Sequence, residues 1–537
     1  MALAAAALAL MAGSAFAVDP PVIDPGARMQ DELRRADRAA PLVPLAPRAA
    51  PAEPLQLPEA PMIAGTVLLK EVLFSPSELL QESELRALAQ PYLGREVTSQ
   101  DLNAFLRAIQ TRYLDKGVQT AVPVLPQQDL RSGSMRVLLV EGKLGAVKIE
   151  GASKADPAWI GQWFDLKAGS VIRPEELERR LGVFNAASDF GAQGVYVPGA
   201  EFGRSDLLIS VPDTAVSQVW GLFDAPDLSP GHGKGTSLIT GYRLYPLSAR
   251  GGRLDAMGIA SAHSSTLSLA GSFPLNTQGW RLGGNATASR SRSTIASTTA
   301  DTPDLVIDGT SSSMALELGR HLSIAPGQLL QLSGTVSQVK SRSAISDQVL
   351  SDRTVNRLTL GASTAWPADQ PGDAPPATLR TSLTTAHGPV NIYRFAEIAG
   401  MLAVKLGATG GPMLRVNGQA RLGAHNTPDV TDAWLAGGSN SVRGFDTGAA
   451  NGDSGQALQL AIYQPFAFTG LDTAEAYVFF DQARALRSDT SHRLASTGLG
   501  VQFQVNRYLS VDTALARQMT GFQGSRTRLS LRASCAW

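Results

Sequence analysis

Few side chains in this 537-residue sequence are arranged for bond-making chemistry. The six histidines, His232, His263, His321, His387, His425 and His492, are scattered, with no metal-ligand spacing among them. The single cysteine, Cys535, excludes an intrachain disulfide. It is third from the C-terminus in a strand-like segment, which argues against a catalytic cysteine–histidine site. GHGKGTS, Gly231–Ser237, lacks the spacing of a phosphate-binding Walker loop and reads as a glycine-rich turn. No cofactor or metal is expected, and no clustered acid–base set marks an enzyme. What stands out is one cation. Arg443 lies in GGSNSVRGF, Gly437 to Phe445, among three glycines, two serines and an asparagine, which local rules make a loop. It is either a solvated surface arginine or a partner for something the rest of the chain supplies.

Composition narrows the setting. Lys+Arg and Asp+Glu both number 47, so nothing in the balance points to nucleic acid. Charged residues make up only 18% and glycines number 52, lean for a soluble enzyme yet too polar for a helical membrane protein. Residues 1–17, MALAAAALALMAGSAFA, are apolar or small and end in Ala15-Phe16-Ala17, the pattern of signal peptidase cleavage. No basic residue precedes them, so the true start is expected upstream. No later run approaches the roughly 18 apolar residues of a membrane helix. An exported protein without a helical anchor is expected.

Residues 18–64 hold a polar helix and a linker. In the helix, Arg28 to Ala40, Asp31 can pair with Arg35 one turn on. A helix polar nearly all round bridges solvent or occupies a wet space. From Pro41 to Pro61 there are seven prolines in 21 residues, an extended spacer.

Two compact units follow, 65–142 and 143–213, each with the order strand–helix–helix–strand–strand, an internal repeat. In the first, TVLLKEVLF reads as a strand. Thr98 to Lys116 reads as a helix, with Thr98 and Asp101 in a capping box. Leu102, Phe105, Leu106, Ile109 and Tyr113 share one face of it, and Gly117 ends it. VQTAVPV and MRVLLVEG close the unit, and Pro123 places the former at a sheet edge. The second unit reads AVKIEG, DPAWIGQWF, a helix from Arg173 to Ala187, GVYVPG and DLLISVPD, with Pro198 marking the matching edge.

After Pro212 helical periodicity stops. Segments of about ten residues alternate apolar and polar between Gly, Asp, Ser and Pro. Leu414, Val416, Ala420 and Leu422 oppose Arg415, Asn417, Gln419 and Arg421. Leu499, Val501, Phe503 and Val505 oppose Gly500, Gln502, Gln504 and Asn506. The pattern runs to Trp537, which shares the apolar face of Leu529, Leu531, Ala533 and Cys535. A soluble sheet can alternate in this way. Consistent polar faces and an export signal favour a transmembrane antiparallel β-barrel over 214–537, with lipid outside and water inside. Lipid-facing backbone must be paired, so the sheet closes. At ~20 residues per strand and turn, about 16 strands fit.

Two β-α-α-β-β units, a barrel and a late VRGF resemble the Omp85 superfamily, and more closely its TpsB group, the haemolysin-activator/FhaC-like transporters of two-partner secretion. TRYLDKGVQTAVPVLPQQDLRSGSMRVLLVEGKLGAVKIEG is similar to the first POTRA domain of that group and the start of the second. Val442, Arg443, Gly444 and Phe445 match its VRG(F/Y) loop motif. GDSGQALQLAIYQPF resembles the strand that follows. Phe479, Phe480, Asp481, Gln482 and Ala483 match its barrel-wall F-x-D-x-G motif, with Ala483 where glycine is usual.

The resemblance implies an outer-membrane β-barrel behind two α+β POTRA domains in the periplasm. It would export one large β-helical exoprotein, a TpsA-like adhesin, haemolysin or contact-dependent toxin, without ATP. Its other partners would be outer-membrane lipid and the barrel assembly machinery, with the transporter itself a monomer. Arg443 would sit at the tip of a loop folded into the lumen, against Asp481 on the wall, and strand parity would turn Tyr477 and Phe479 inward as well. The polar helix would plug the barrel. The exoprotein would add to the edges near Val118, Gln119, Thr120 and Val122, and near Val195 and Tyr196. Proline at those edges serves equally to block aggregation, and the helix side could bind instead. Trp537 would be read as a C-terminal assembly signal. The rival readings are an assembly factor for other barrels, a passive porin, for which the two units have no use, and a surface enzyme.

Overall fold

The computed structural model describes residues 24–39, 65–116, 118, 120–151, 155–201, 203–211, 217–228, 236–295, 305–325, 327–345, 348–366, 375–407, 410–487, 490–520 and 526–537. The leader, the proline spacer, Gly117, Gln119 and most of the GHGKGTS turn lie outside them.

The first helix, α1 (Pro25–Ala39), starts earlier than its polar pattern indicates. Asp24 caps it, its carboxylate accepting from Gly26 N–H at 2.8 Å, and Pro25 takes the first helical position. The expected pair between Asp31 and Arg35 is present at 3.1 Å.

In the unit that follows, the stretch read as one strand is two. β1 (Val67–Leu69) and β2 (Glu71–Phe74) part at Lys70, whose N–H turns to the Gly133 carbonyl at 2.7 Å. After α2 (Glu82–Ala89), β1 pairs with β3 (Arg95–Val97). Then come α3 (Ser99–Asp115), β4 (Ala121–Val124) and β5 (Ser134–Glu141), and β2, β5 and β4 make a three-stranded sheet in that order. Thr98 and Asp101 form the expected reciprocal cap of α3. The apolar face Leu102, Phe105, Leu106, Ile109 and Tyr113 packs on Met135, Val137 and Leu139. Pro123 is on the edge strand, as read. The strand is shorter than expected, however: Val118 belongs to the helix end, its N–H bonded to the Tyr113 carbonyl at 3.0 Å.

The second unit holds β6 (Lys143–Gly151), α4 (Pro157–Trp163), α5 (Pro174–Ser188), β7 (Gln193–Pro198) and β8 (Arg204–Val211), with β7 at the edge of the order β6, β8, β7. Trp159, Trp163, Phe164 and Phe184 fill its core.

The barrel is β9 (Ser217–Ala225), β10 (Ser237–Leu244), β11 (Arg253–Ser261), β12 (Ser264–Pro274), β13 (Trp280–Ile295), β14 (Leu305–Ala325), β15 (Gln328–Ile345), β16 (Gln348–Ala365), β17 (Ala377–His387), β18 (Ile392–Lys405) and β19 (Met413–His425). Within the loop that follows, β20 (Trp434–Ala436) and β21 (Ala450–Gly452) pair as a short ribbon. β22 (Ser454–Phe466), β23 (Thr473–Arg487), β24 (Thr490–Asn506), β25 (Leu509–Gln518) and β26 (Thr527–Ala536) complete sixteen barrel strands, all antiparallel to their neighbours. β26 returns to β9 with Leu531 opposite Ala225 and Ala536 opposite Trp220, so no edge faces lipid. Met314, Leu316, Leu358, Leu360 and Leu499 point outward and are exposed, the apolar band expected of a membrane barrel. Among the described residues, no helix is long and apolar enough to cross a membrane.

Candidate functional site

The long connection between β19 and β22, residues 426–453, turns back against the inner wall. Its tip is held by backbone geometry first. Gly437, Gly438 and Gly444 have φ of +107°, +79° and +83°, in the left-handed region that favours glycine. A Cβ on Gly444 would also come within 2.9 Å of the Ala516 methyl. Its carbonyl accepts from Gln518 Nε2 at 2.6 Å.

That turn carries Arg443 onto Asp481 of β23. Arg443 Nε donates to Asp481 Oδ2 at 2.8 Å, Nη2 to Oδ1 at 2.8 Å, and the backbone N–H to Oδ2 at 3.0 Å. The Asp481 side chain is 0% exposed, so this carboxylate depends on those donors for solvation. The Arg443 Cζ lies 3.7 Å from the Phe479 ring centroid and 5.6 Å from that of Tyr477. A buried guanidinium between a carboxylate and an aromatic face is held by both electrostatic terms.

The residues beside Arg443 anchor by apolar packing. Val442 and Phe445, with Trp434 and Ala450 from the ribbon, cluster on Ala457, Ala483, Ala485 and Leu494 of the wall. Ala483, where the motif usually has glycine, thus contributes its methyl to the loop's seat. Phe480, between them, takes the opposite parity and lies outside that cluster.

The partners of the inward aromatics and of the loop tip were not singled out by sequence. Phe479 and Tyr477 lie over Gly498 and Gly500 of β24; a Cβ there would come within 2.7 Å and 2.4 Å of the rings. The spacing Gly498-Leu499-Gly500 was the available signal, two inward glycines beside two inward aromatics. Tyr477 donates to Asp512 at 2.6 Å and stacks on Tyr463 at 4.7 Å. Arg415 covers Tyr463 at 3.9 Å and pairs with Glu475 at 2.9 Å. The tip also spans the closing seam: Ser439 donates to Asp224 of β9 at 3.1 Å and accepts from Arg532 of β26 at 2.8 Å. Asp446 accepts from Arg528 of β26 at 2.7 Å.

The helix α1 lies against the same interior. The Glu32 carboxylate accepts from Ser264 Oγ at 2.5 Å and from Thr266 Oγ1 at 2.7 Å. Asp24 accepts from Ser341 Oγ at 2.9 Å, and Arg28 donates to Ser293 Oγ at 3.3 Å. Its wall partners in these bonds are four neutral hydroxyls on inward-facing positions of three strands, β12, β13 and β15.

The other candidate residues are elsewhere. Val118, Thr120 and Val122 are buried in the first unit, so their side chains offer nothing to a partner, while the backbone of β4 remains at an edge. Val195 is 38% exposed on β7. Tyr196 is partly buried, and burial pushes its hydroxyl up to about 12, keeping it neutral. Trp537 is exposed on the outer face, and its backbone still pairs with Val219, at 2.8 and 2.9 Å. Among the described residues no cluster of His, Cys, Asp or Glu could hold a metal.

Comparison with known proteins agrees with the resemblance carried by these residues. A family model described as POTRA domain, ShlB-type, matches residues 67–142. The heme/hemopexin transporter protein HuxB of Haemophilus influenzae (strain 86-028NP) is 20% identical over 484 residues, covering 81% of this chain and 80% of HuxB. The outer membrane transporter CdiB of Dickeya dadantii (strain 3937) is 24% identical over 153 residues, 27% of each. By these matches the chain is similar to the TpsB transporters of the Omp85 superfamily. Among solved structures, CdiB from Escherichia coli shares the fold of this chain with a TM-score of 0.66, at 16% identity over 98% of this chain and 100% of that one. CdiB from Acinetobacter baumannii does so at 0.61, with 18% identity over 95% and 97%. The protein resides in the outer membrane, with its POTRA region, matched over 67–142, on the periplasmic side.

Proposed function

We propose that this transporter takes one large, unfolded TpsA-type exoprotein from the periplasm and passes it through the barrel lumen to the cell surface without nucleotide. The observation that carries this reading is how the lumen is obstructed. The two elements inside it, α1 and the loop 426–453, are held on the wall by side-chain hydrogen bonds and ion pairs, contacts that can be exchanged for others. A barrel of sixteen strands is wide enough to be aqueous unless plugged. α1 acts as the plug, and the bond between Arg443 and Asp481 sets the loop's closed position. Folding of the exoprotein outside the cell supplies the drive.

Capture occurs at the POTRA edges. β4 and β7 each end a sheet and can accept an added strand, whose backbone bonds do not depend on side-chain identity. Pro123 and Pro198 limit that pairing to part of each edge. Photo-crosslinkers at Val195, beside the edge, and at Arg107, on the exposed side of α3, separate two binding faces. With a stalled exoprotein, crosslinks from Val195 are expected. Crosslinks from Arg107 alone would overturn edge capture.

A further inference from the structure

The loop that carries Arg443 has a second anchorage on its first limb. There the chain makes a 3-10 turn, Val430–Asp432, with a carboxylate at each end. Asp429 caps the turn through the Thr431 N–H at 3.0 Å and also accepts from Arg353 Nη1 of β16 at 2.8 Å. Asp432 accepts from Arg357 Nε at 2.9 Å and from the Tyr393 hydroxyl at 2.6 Å. Arg357 Nη2 lies 2.6 Å from its other oxygen, off the hydrogen-bond direction. Arg421 of β19 donates to the Asp432 carbonyl and pairs with Glu397 at 2.8 Å. The Asp429 and Asp432 side chains are 4% and 2% exposed. Two carboxylates in one turn repel each other, and buried they require these cations. Without them, this limb is better solvated away from the wall.

The helix α1 rests on the same limb. Gln30 Nε2 donates to the Thr431 carbonyl at 3.0 Å. A Cβ on Gly26 would meet Thr431 Cγ2 at 2.5 Å, so only glycine permits this approach. On the wall, Gly309 of β14 makes the same allowance for Pro25, at 2.4 Å. The first turn of α1 is wedged between β14 and the acidic turn.

We propose that Asp429 and Asp432, held by Arg353, Arg357 and Tyr393, are positioning residues that form the seat of α1, so that the helix leaves the lumen when this limb leaves the wall. This rests on the reading of α1 as the plug. It assigns plug control to the base of the loop, on β16 and β18, and leaves Arg443 to control the tip.

Single-pore conductance of the purified full-length transporter in a planar bilayer tests both readings. Deletion of residues 24–39 is expected to raise conductance. The double variant D429N/D432N should shift conductance towards the deletion, and Tyr393→Phe should shift it less. Asp432→Arg alone should shift it as well, and the exchange R357D/D432R should return that variant towards wild type, a rescue that a general loss of packing would not produce. Heat-dependent gel migration verifies a folded barrel in each. If the deletion raises conductance while folded D429N/D432N behaves as wild type, the seat is overturned and the plug stands. If the deletion changes nothing, both fall. Should D429N/D432N not fold, Tyr393→Phe and Gln30→Ala carry the test, and wild-type conductance in both overturns the seat.

Discussion

The Phe479 ring centroid lies 3.7 Å from Cζ of Arg443, and two residues along the same strand Asp481 takes the edge of that guanidinium. One inward face of β23 therefore supplies both an aromatic and a carboxylate to one cation of the loop. Removing either partner should act differently. Asp481→Ala leaves a buried charge unpaired, which costs about 3–5 kcal/mol. Phe479→Leu keeps the ion pair and loses about 0.5–2 kcal/mol. Secretion of the cognate exoprotein should fall strongly in the first and modestly in the second, with heat-dependent gel migration showing the barrel retained in both. Normal secretion by Asp481→Ala in a folded barrel would sink the tip's role in transport.

Gly444 has φ +83° and no room beside Ala516. Gly444→Ala should cost about 1–2 kcal/mol in backbone strain, with the contact at Ala516 in addition. Increased protease cleavage within 437–446 on intact cells is the expected outcome. Cleavage at the wild-type level would show that the tip does not depend on this turn.

Gly500→Val should displace the Tyr477 ring and, through it, the bond to Asp512. Secretion should drop although the substitution lies on a neighbouring strand. An unchanged tyrosine environment, read by fluorescence in a tryptophan-free background, would contradict the overlay of ring on glycine.

The second POTRA domain meets the barrel through a buried ion pair. Arg281 of β13 donates to Asp189 at 2.8 Å, to Ser272 at 2.6 Å and to the Ala187 carbonyl. Asp189 ends α5 with φ +64°, and its carboxylate also accepts from Gly252 N–H at 3.1 Å. Asp189→Asn keeps a residue suited to that backbone and removes only the charge. Breaking the pair should cost about 3–5 kcal/mol and loosen the joint. Spin-label distances between the POTRA domain and the barrel should broaden. A distribution as narrow as wild type would show that the pair does not set the angle.

Asp101 gives the first POTRA domain a pH dependence. The Thr98 N–H and hydroxyl, with Arg95, hold its carboxyl down at about 2. Its folded value lies below the unfolded one, so its contribution is present above the ordinary carboxylate range of about 4 and lost as pH falls towards about 2. Hydrogen exchange at the start of α3, after correction for intrinsic rate, should quicken between about pH 6 and about pH 3, and Asp101→Asn should abolish the difference. Equal protection at both values would remove the cap from the account.

The elements were legible where one periodicity acts alone. The face of α3 from Leu102 to Tyr113 and its cap are local, so spacing suffices to read them. Alternation across β19, β24 and β26 marks which side meets lipid because the pleat has period two. The split at Lys70 was hidden because β1 and β2 are both short runs dominated by Val and Leu, and what separates them is which strand each pairs with. The early start of α1 was hidden for a similar reason: Asp24-Pro25-Gly26 reads as a turn until a helix follows it.

By itself the sequence determined the repeated α+β unit, the alternating barrel and the motif residues Arg443 and Asp481. Each is written in adjacent or evenly spaced positions. Only the tertiary structure decided what those residues meet. Gly498 and Gly500 make room for rings on another strand, Asp432 finds Arg357 and Tyr393, and Gly26 clears Thr431. Such contacts join positions tens to hundreds of residues apart. Closing the barrel sets their geometry, because register and curvature fix which inward side chains share the same stretch of wall.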